Sequence, residues 1–175
     1  MINDVSISYL IFLMPLLVFA VNGLFLGRKS DKAASAFAVI GNGIAMVSAL
    51  IGAVHYFSST FAPQKGIMFD IPFLKFGENF NANIGLLIDP LSVMMLVVVT
   101  VISFLVNIYS IGYMKGDRSA GRFFSLLSLF SFSMLGLVAA TNIFQMFIFW
   151  ELVGVSSYLL IGFWYHKPSA VSASK

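Results

Sequence analysis

The segment 123–165, FFSLLSLFSFSMLGLVAATNIFQMFIFWELVGVSSYLLIGFWY, carries a single charged side chain, Glu151. As one continuous helix it would run about 65 Å at ~1.5 Å per residue, near twice the ~30 Å hydrocarbon thickness of a bilayer. It therefore reads as two membrane-crossing helices with a break near Ala140-Thr141-Asn142. Asn142 is a natural N-cap for the second, because its side-chain oxygen can accept from the first free N–H groups.

Outward from this pair, three more uncharged tracts run from Val5 to Gly27, Ala33 to Gln64 and Pro90 to Met114. In the second, Ala33–Phe57 suffices for a span. The expectation is an all-α membrane protein of about five transmembrane helices in a single domain over 1–175. Their approximate limits are 5–27, 33–57, 90–114, 121–140 and 142–165.

Composition agrees with lipid as the main solvent. Of 175 residues, 59% are hydrophobic and 10% charged, with nineteen Phe; mean hydropathy is +0.96. Soluble domains are closer to half apolar and a quarter charged. There is no cysteine, which removes disulfides, thiolate metal sites and cysteine-held iron–sulfur clusters from this chain. The net charge of +3 does not point to nucleic acid. Its basic residues lie in short loops between apolar blocks, and no nucleic-acid module motif appears.

The loops give an orientation. If all five spans cross, Arg28, Lys29, Lys32, Lys115, Arg118, Arg122, Lys167 and Lys175 fall on one side, eight of the ten basic residues. Lys65 and Lys75 fall on the other, with Asp4, Asp70, Glu78 and Asp89. By the positive-inside rule the N-terminus is outside and the C-terminus cytoplasmic. A cleaved signal peptide, with Ala34-Ser35-Ala36 as its site, is disfavoured. The expected basic n-region is missing, and the apolar run is long for an h-region.

Between spans two and three, Phe80, Ala82, Ile84, Leu86 and Ile88 alternate with Asn79, Asn81, Asn83 and Gly85, the period of a strand. Asp70-Ile71-Pro72 and Gly77-Glu78-Asn79 carry turn chemistry. A short β-hairpin on the outer surface follows, after which Asp89-Pro90 opens the third helix as N-cap and first helical residue.

Glu151 is the leading candidate for chemistry. It lies roughly 14 Å along a helix begun at Asn142, near mid-bilayer, where insertion scales charge an ionised residue about 2.5–3.5 kcal/mol. Apolar surroundings favour a carboxyl's neutral form and a nearby cation its charged form. A carboxyl between those influences can take up and release a proton. Gly154 and Tyr158, at i+3 and i+7, share its helical face. The glycine leaves room for water or a close helix, and the Tyr158 phenol can extend a relay. The competing reading is a neutral acid that only bonds helices together.

Other candidates carry less. Ser125, Ser128 and Ser131 form a small-residue stripe suited to close helix packing. Gly23 and Gly27 fit the same pattern at a helix end. His55 and His166 read as interfacial histidines, and Trp150 as a residue packed on neighbouring helices. No phosphate-binding glycine loop, nicotinamide or flavin fingerprint, or haem or metal constellation is present.

Several of these motifs resemble a known family. Leu87-Ile88-Asp89-Pro90-Leu91-Ser92-Val93-Met94-Met95 resembles the start of the third helix in the L-type, antiporter-like subunits of proton-pumping NADH–quinone oxidoreductase (respiratory complex I). Tyr109-Ser110-Ile111-Gly112-Tyr113-Met114 with Arg122-Phe123-Phe124 is similar to that family's next helix junction. Phe149-Trp150-Glu151-Leu152-Val153-Gly154 and Ser157-Tyr158-Leu159-Leu160-Ile161-Gly162-Phe163-Trp164-Tyr165 resemble its fifth helix. The likeness is strong from Asn81 to His166 and looser before.

The resemblance implies a membrane-arm subunit in a bacterial cytoplasmic membrane that contributes to proton translocation coupled to quinone reduction. NADH, FMN, iron–sulfur clusters and quinone are then expected in partner subunits, with no cofactor in this chain. Its partners are other membrane subunits and the lipid bilayer, not nucleic acid. Glu151 matches the family's fifth-helix glutamate, which pairs with a lysine on a later helix. The family continues well past the equivalent of Lys175, so the resemblance implies a shortened subunit or a split one completed by another chain. Two alternatives remain at this point: the N-terminal part of a multi-subunit sodium/proton antiporter subunit, and a non-catalytic membrane scaffold.

Overall fold

The apolar tracts become five helices long and apolar enough to cross a membrane. The structure is a computed structural model that describes residues 2–27, 30–58, 66–76, 80–117 and 119–175. In chain order the elements are α1 (Ile2–Val21), a π-helical turn Asn22–Leu26, α2 (Asp31–Ser58), β1 (Gly66–Phe76), β2 (Phe80–Ile88), α3 (Pro90–Tyr113), α4 (Ala120–Val138), α5 (Ile143–Ile161) and α6 (Pro168–Ser174). This is a multi-pass membrane protein with an antiparallel hairpin between helices two and three. Arg28, Lys29, Lys65, Gly77-Glu78-Asn79 and Arg118, which carried parts of the loop and turn readings, lie outside the described residues.

Contacts between loops fix the alternation of the spans. At one end Gly27, after the π turn, lies against Gly121 at the start of α4, and Asp117 before α4 accepts from the Trp164 indole after α5 at 2.9 Å. At the other end, Leu87 of β2 donates to the Ala139 carbonyl at the α4–α5 break at 2.9 Å. The chain therefore reverses direction at every helix.

Small residues let the helices approach. The buried positions of α2 are Ala34, Ala38, Gly41, Asn42, Ala45, Ser48 and Ala49, a stripe at helical spacing that recurs on one face. Without water to drive apolar association inside a bilayer, such close van der Waals packing holds the helices together. Larger side chains fill two cores. Val18, Ala38, Met114, Ala120, Phe124 and Phe163 pack at the Asp117 end, and Ile11, Ala49, Leu96, Val99 and Leu135 toward the hairpin. Hydroxyls spend themselves locally: Thr100, Ser128, Ser131 and Ser133 each donate to the carbonyl four residues back, at 2.7–3.0 Å.

The hairpin departs from expectation in one place. Asp70-Ile71-Pro72 does not turn the chain; all three lie within β1, opposite Gly85, Ile84 and Asn83. In a two-stranded sheet each strand has an unpaired edge, so a proline costs no ladder bond when its nitrogen faces outward. The register slips between Pro72 and Leu74, a bulge of the kind that accommodates it. The fifth span ends at Ile161, and a tight turn leads to α6, whose first residue is Pro168.

Candidate functional site

Two polar side chains hold the start of α5. Asn142 caps it, its Oδ1 accepting from Gln145 N at 2.9 Å, while its Nδ2 donates to the Asn83 carbonyl at 2.7 Å. Gln145 is 2% exposed. Its Nε2 donates to the Gly85 carbonyl at 2.8 Å and its Oε1 accepts from Gly85 N at 3.0 Å and Thr141 Oγ1 at 3.1 Å. The hairpin and the helix that carries Glu151 are thereby joined.

Further along, α5 rests on α4. The Phe149 ring occupies the space a side chain at Gly136 would need and meets Phe132 edge-on at 5.7 Å. That leaves the opposite face bare. Ile143, Phe147, Trp150, Val155 and Tyr158 are 82%, 62%, 65%, 51% and 51% exposed, and Glu151 and Gly154 are exposed among them. Trp150, expected to pack on neighbouring helices, points away from this bundle.

Glu151 is the ninth residue of α5, about 12 Å into a helix about 29 Å long. No described residue hydrogen-bonds it or forms an ion pair with it. A side chain at Gly154 would meet nothing within 4 Å, so that glycine is not required by packing within the chain. Glu151, Gly154 and Tyr158 do share one face, as their spacing requires. The face is apolar apart from the carboxyl and the phenol. An ionised carboxylate there needs a cationic or hydrogen-bonding partner from beyond the described residues.

The remaining sequence candidates fall elsewhere. Ser125, Ser128 and Ser131 are buried; Ser125 Oγ donates to the Phe19 carbonyl at 2.9 Å, and Ser128 Oγ accepts from Asn42 Nδ2 at 3.2 Å. The stripe packs α4 on α1 and α2. Gly23 faces Ser125 Oγ and Gly27 faces Gly121, so the pair at the helix end does pack closely. His55 and His166 are exposed, the latter with its ring 3.8 Å from that of Tyr165.

Sequence reasoning missed Gln145 and Asn42. The only signal was an uncharged amide inside an apolar run, where an unpaired polar group is costly. It also missed a cluster at the Asp117 end. The Arg122 guanidinium lies 4.9 Å from the Phe163 ring centroid and 5.8 Å from that of Tyr165, and Lys167 Nζ lies 4.6 Å from that of Trp164. Asp117 is held below the usual carboxylate range, first by the Trp164 indole N–H and then by the Ser119 backbone N–H, with a smaller contribution from Arg122. Among the described residues, no three His, Cys, Asp or Glu side chains gather as a metal site would require.

Comparison with known proteins places this arrangement. Residues 73–124 match the family model described as NADH-Ubiquinone oxidoreductase (complex I), chain 5 N-terminus, and residues 140–175 that of NADH:quinone oxidoreductase/Mrp antiporter, TM. The chain is 42% identical over 169 residues to NADH-quinone oxidoreductase subunit L of Rickettsia typhi, covering 97% of this chain and 25% of that protein. It is 57% identical over 96 residues to the chloroplastic NAD(P)H-quinone oxidoreductase subunit 5 of Chara vulgaris, covering 55% of this chain and 14% of that one. A solved chain in the membrane-bound sulfane sulfur reductase, an archaeal respiratory membrane complex, shares the fold with a TM-score of 0.75 at 20% identity, over 97% of this chain and 32% of that chain. This chain thus spans about a quarter of the length of its subunit L relative. It belongs to the antiporter-like family of NADH–quinone oxidoreductase membrane subunits that includes subunits L and 5.

Proposed function

We propose that this chain is a membrane-arm component of an NADH–quinone oxidoreductase and contributes to proton translocation driven by quinone reduction, with Glu151 as a proton relay and Tyr158 as its support. The observation that carries the reading is the position of Glu151. It is a mid-helix carboxyl on a bare apolar face, with no partner among the described residues and an open notch at Gly154 beside it. A carboxyl so placed exchanges a proton according to what approaches it, and the whole face is free to receive another helix.

The partners are other membrane subunits and lipid. The redox groups (NADH, FMN, iron–sulfur clusters and quinone) belong to other subunits, and this chain's share is to hold and pass a proton. The basic loops support a bacterial cytoplasmic membrane location with the N-terminus outside and the C-terminus cytoplasmic. The family model matched over residues 140–175 spans the oxidoreductases and the Mrp antiporters alike; the one matched over 73–124 and the names of the two relatives favour the oxidoreductase.

Glu151→Gln in the complete complex tests this, because Gln keeps shape and hydrogen bonding but exchanges no proton. The expected result is loss of most proton pumping in a complex that assembles normally. Wild-type pumping would sink the relay and leave Glu151 as a helix fastener. Tyr158→Phe is expected to give a partial loss.

A further inference from the structure

At the Asp117 end of the bundle, between α4, α5 and α6, lies a cavity of about 390 Å³. Leu126, Leu159, Phe163 and Val171 form an apolar wall, and Arg122, Tyr158, Tyr165 and Ser174 bring the polar groups. We propose that this cavity binds an anionic glycerophospholipid, with the phosphate at Arg122 and the upper acyl chain along the apolar wall.

Charge is the first support. Arg122 spends one donor on the Phe163 carbonyl, through Nη2 at 3.3 Å. Its guanidinium is oriented by the Phe163 and Tyr165 rings. Its remaining N–H groups match the paired oxygens of a phosphate, which a planar guanidinium holds in fork geometry. The Asp117 carboxylate, which feels the Arg122 charge only weakly, accepts from Trp164 Nε1 and Ser119 N and forms no ion pair with Arg122. Among the described residues, no acidic side chain lines the cavity.

Depth is the second. Tyr113 and Trp164 lie 5.7 Å apart at this end, with Tyr109 stacked on Tyr113 at 6.0 Å and Tyr165 beside His166. Amphipathic aromatics collect at the level of lipid headgroups. Arg122 and Tyr165 line the cavity at that level, where a phosphate sits, and Leu126 and Leu159 line it about a helical turn or more further along α4 and α5, where a chain sits. Inorganic phosphate would satisfy the guanidinium but leave that wall uncovered.

The test is native mass spectrometry of the protein purified in mild detergent and titrated with phosphatidylglycerol, phosphatidylcholine or inorganic phosphate. Phosphatidylglycerol is expected to bind at one saturable site, with phosphatidylcholine weaker and millimolar phosphate unable to displace it. Arg122→Gln should weaken phosphatidylglycerol by about tenfold or more, whereas Lys115→Gln, which removes a cation at the same end but outside the cavity, should not. Val171→Trp fills the cavity without touching Arg122 and should also abolish binding, which keeps the test open if the arginine variant folds poorly. Equal loss in both charge variants would reduce the effect to surface charge. Full binding in Val171→Trp, displacement by phosphate alone, or no saturable binding because protein already fills the space would each overturn the proposal.

Discussion

Gln145 of α5 holds both backbone groups of Gly85 in β2 with the two ends of one amide, at 2.8 and 3.0 Å. A side chain here does what a neighbouring strand would do. Gln145→Leu strands a donor and an acceptor in a buried site, so the expected loss is about 2–4 kcal/mol, read as a lower Tm in detergent. Gln145→Glu keeps the acceptor and should fall between. A leucine variant as stable as wild type would show that water replaces the clamp at no cost.

Gly121 and Gly112 provide a matched pair. A Cβ on Gly121 would collide with the Gly27 backbone, whereas one on Gly112 meets nothing within 4 Å. Gly121→Ala is expected to force α4 away from the π turn at a cost of about 1–3 kcal/mol. Gly112→Ala should be neutral or stabilise by about 0.5–1 kcal/mol, because alanine loses less backbone entropy in a helix. Equal Tm values for the two would mean the helices separate easily.

The amide of Asn42 links α2 to α4 through Ser128 at 3.2 Å and back-bonds to the Ala38 carbonyl at 2.9 Å. A double-mutant cycle with Asn42→Leu and Ser128→Ala should give a coupling of about 0.6–1.7 kcal/mol, the range for interhelical hydrogen bonds in membranes. Additive effects would assign both residues to packing alone.

Acid should loosen the junction at Asp117. Its carboxyl is held low chiefly by the Trp164 indole and next by Ser119 N, so its stabilisation is complete above the unfolded value of about 3.9. It is lost as pH falls through the lower folded value. Asp117→Asn should therefore cost about 1 kcal/mol at neutral pH, a figure kept small by partial solvent exposure. That difference from wild type should close as pH falls through the folded value, which lies below the ordinary carboxylate range. Trp164 fluorescence, with Trp150→Phe as background, follows the same transition; a variant gap independent of pH would remove Asp117 as its cause.

Local chemistry was the legible part of the sequence. Asp89 and Ser92 form a reciprocal cap at 2.7 and 2.8 Å, Asn142 caps α5, and the alternation from Phe80 to Ile88 is β2; each is written within a few adjacent residues. Pro72 misled because turn chemistry and edge-strand chemistry share the same residues, and only the pairing partner separates them. The Gly85–Gln145 clamp joins positions 60 apart, beyond the reach of any local pattern. For Glu151, spacing gave its depth and the residues on its face. The direction of that face depends on where α4 lies, and Gly136 with Phe149 decides it.

The same 60-residue separation has a consequence in time. Gly85 is synthesised well before Gln145 exists; at ~5–20 residues per second the interval between the two is about 3–12 s. Throughout that interval the hairpin has no anchor, and it gains one only once the α4–α5 pair is threaded. The hairpin's seat is therefore completed only after α5 is in place, and a protease acting on 66–88 reports whether that span has arrived.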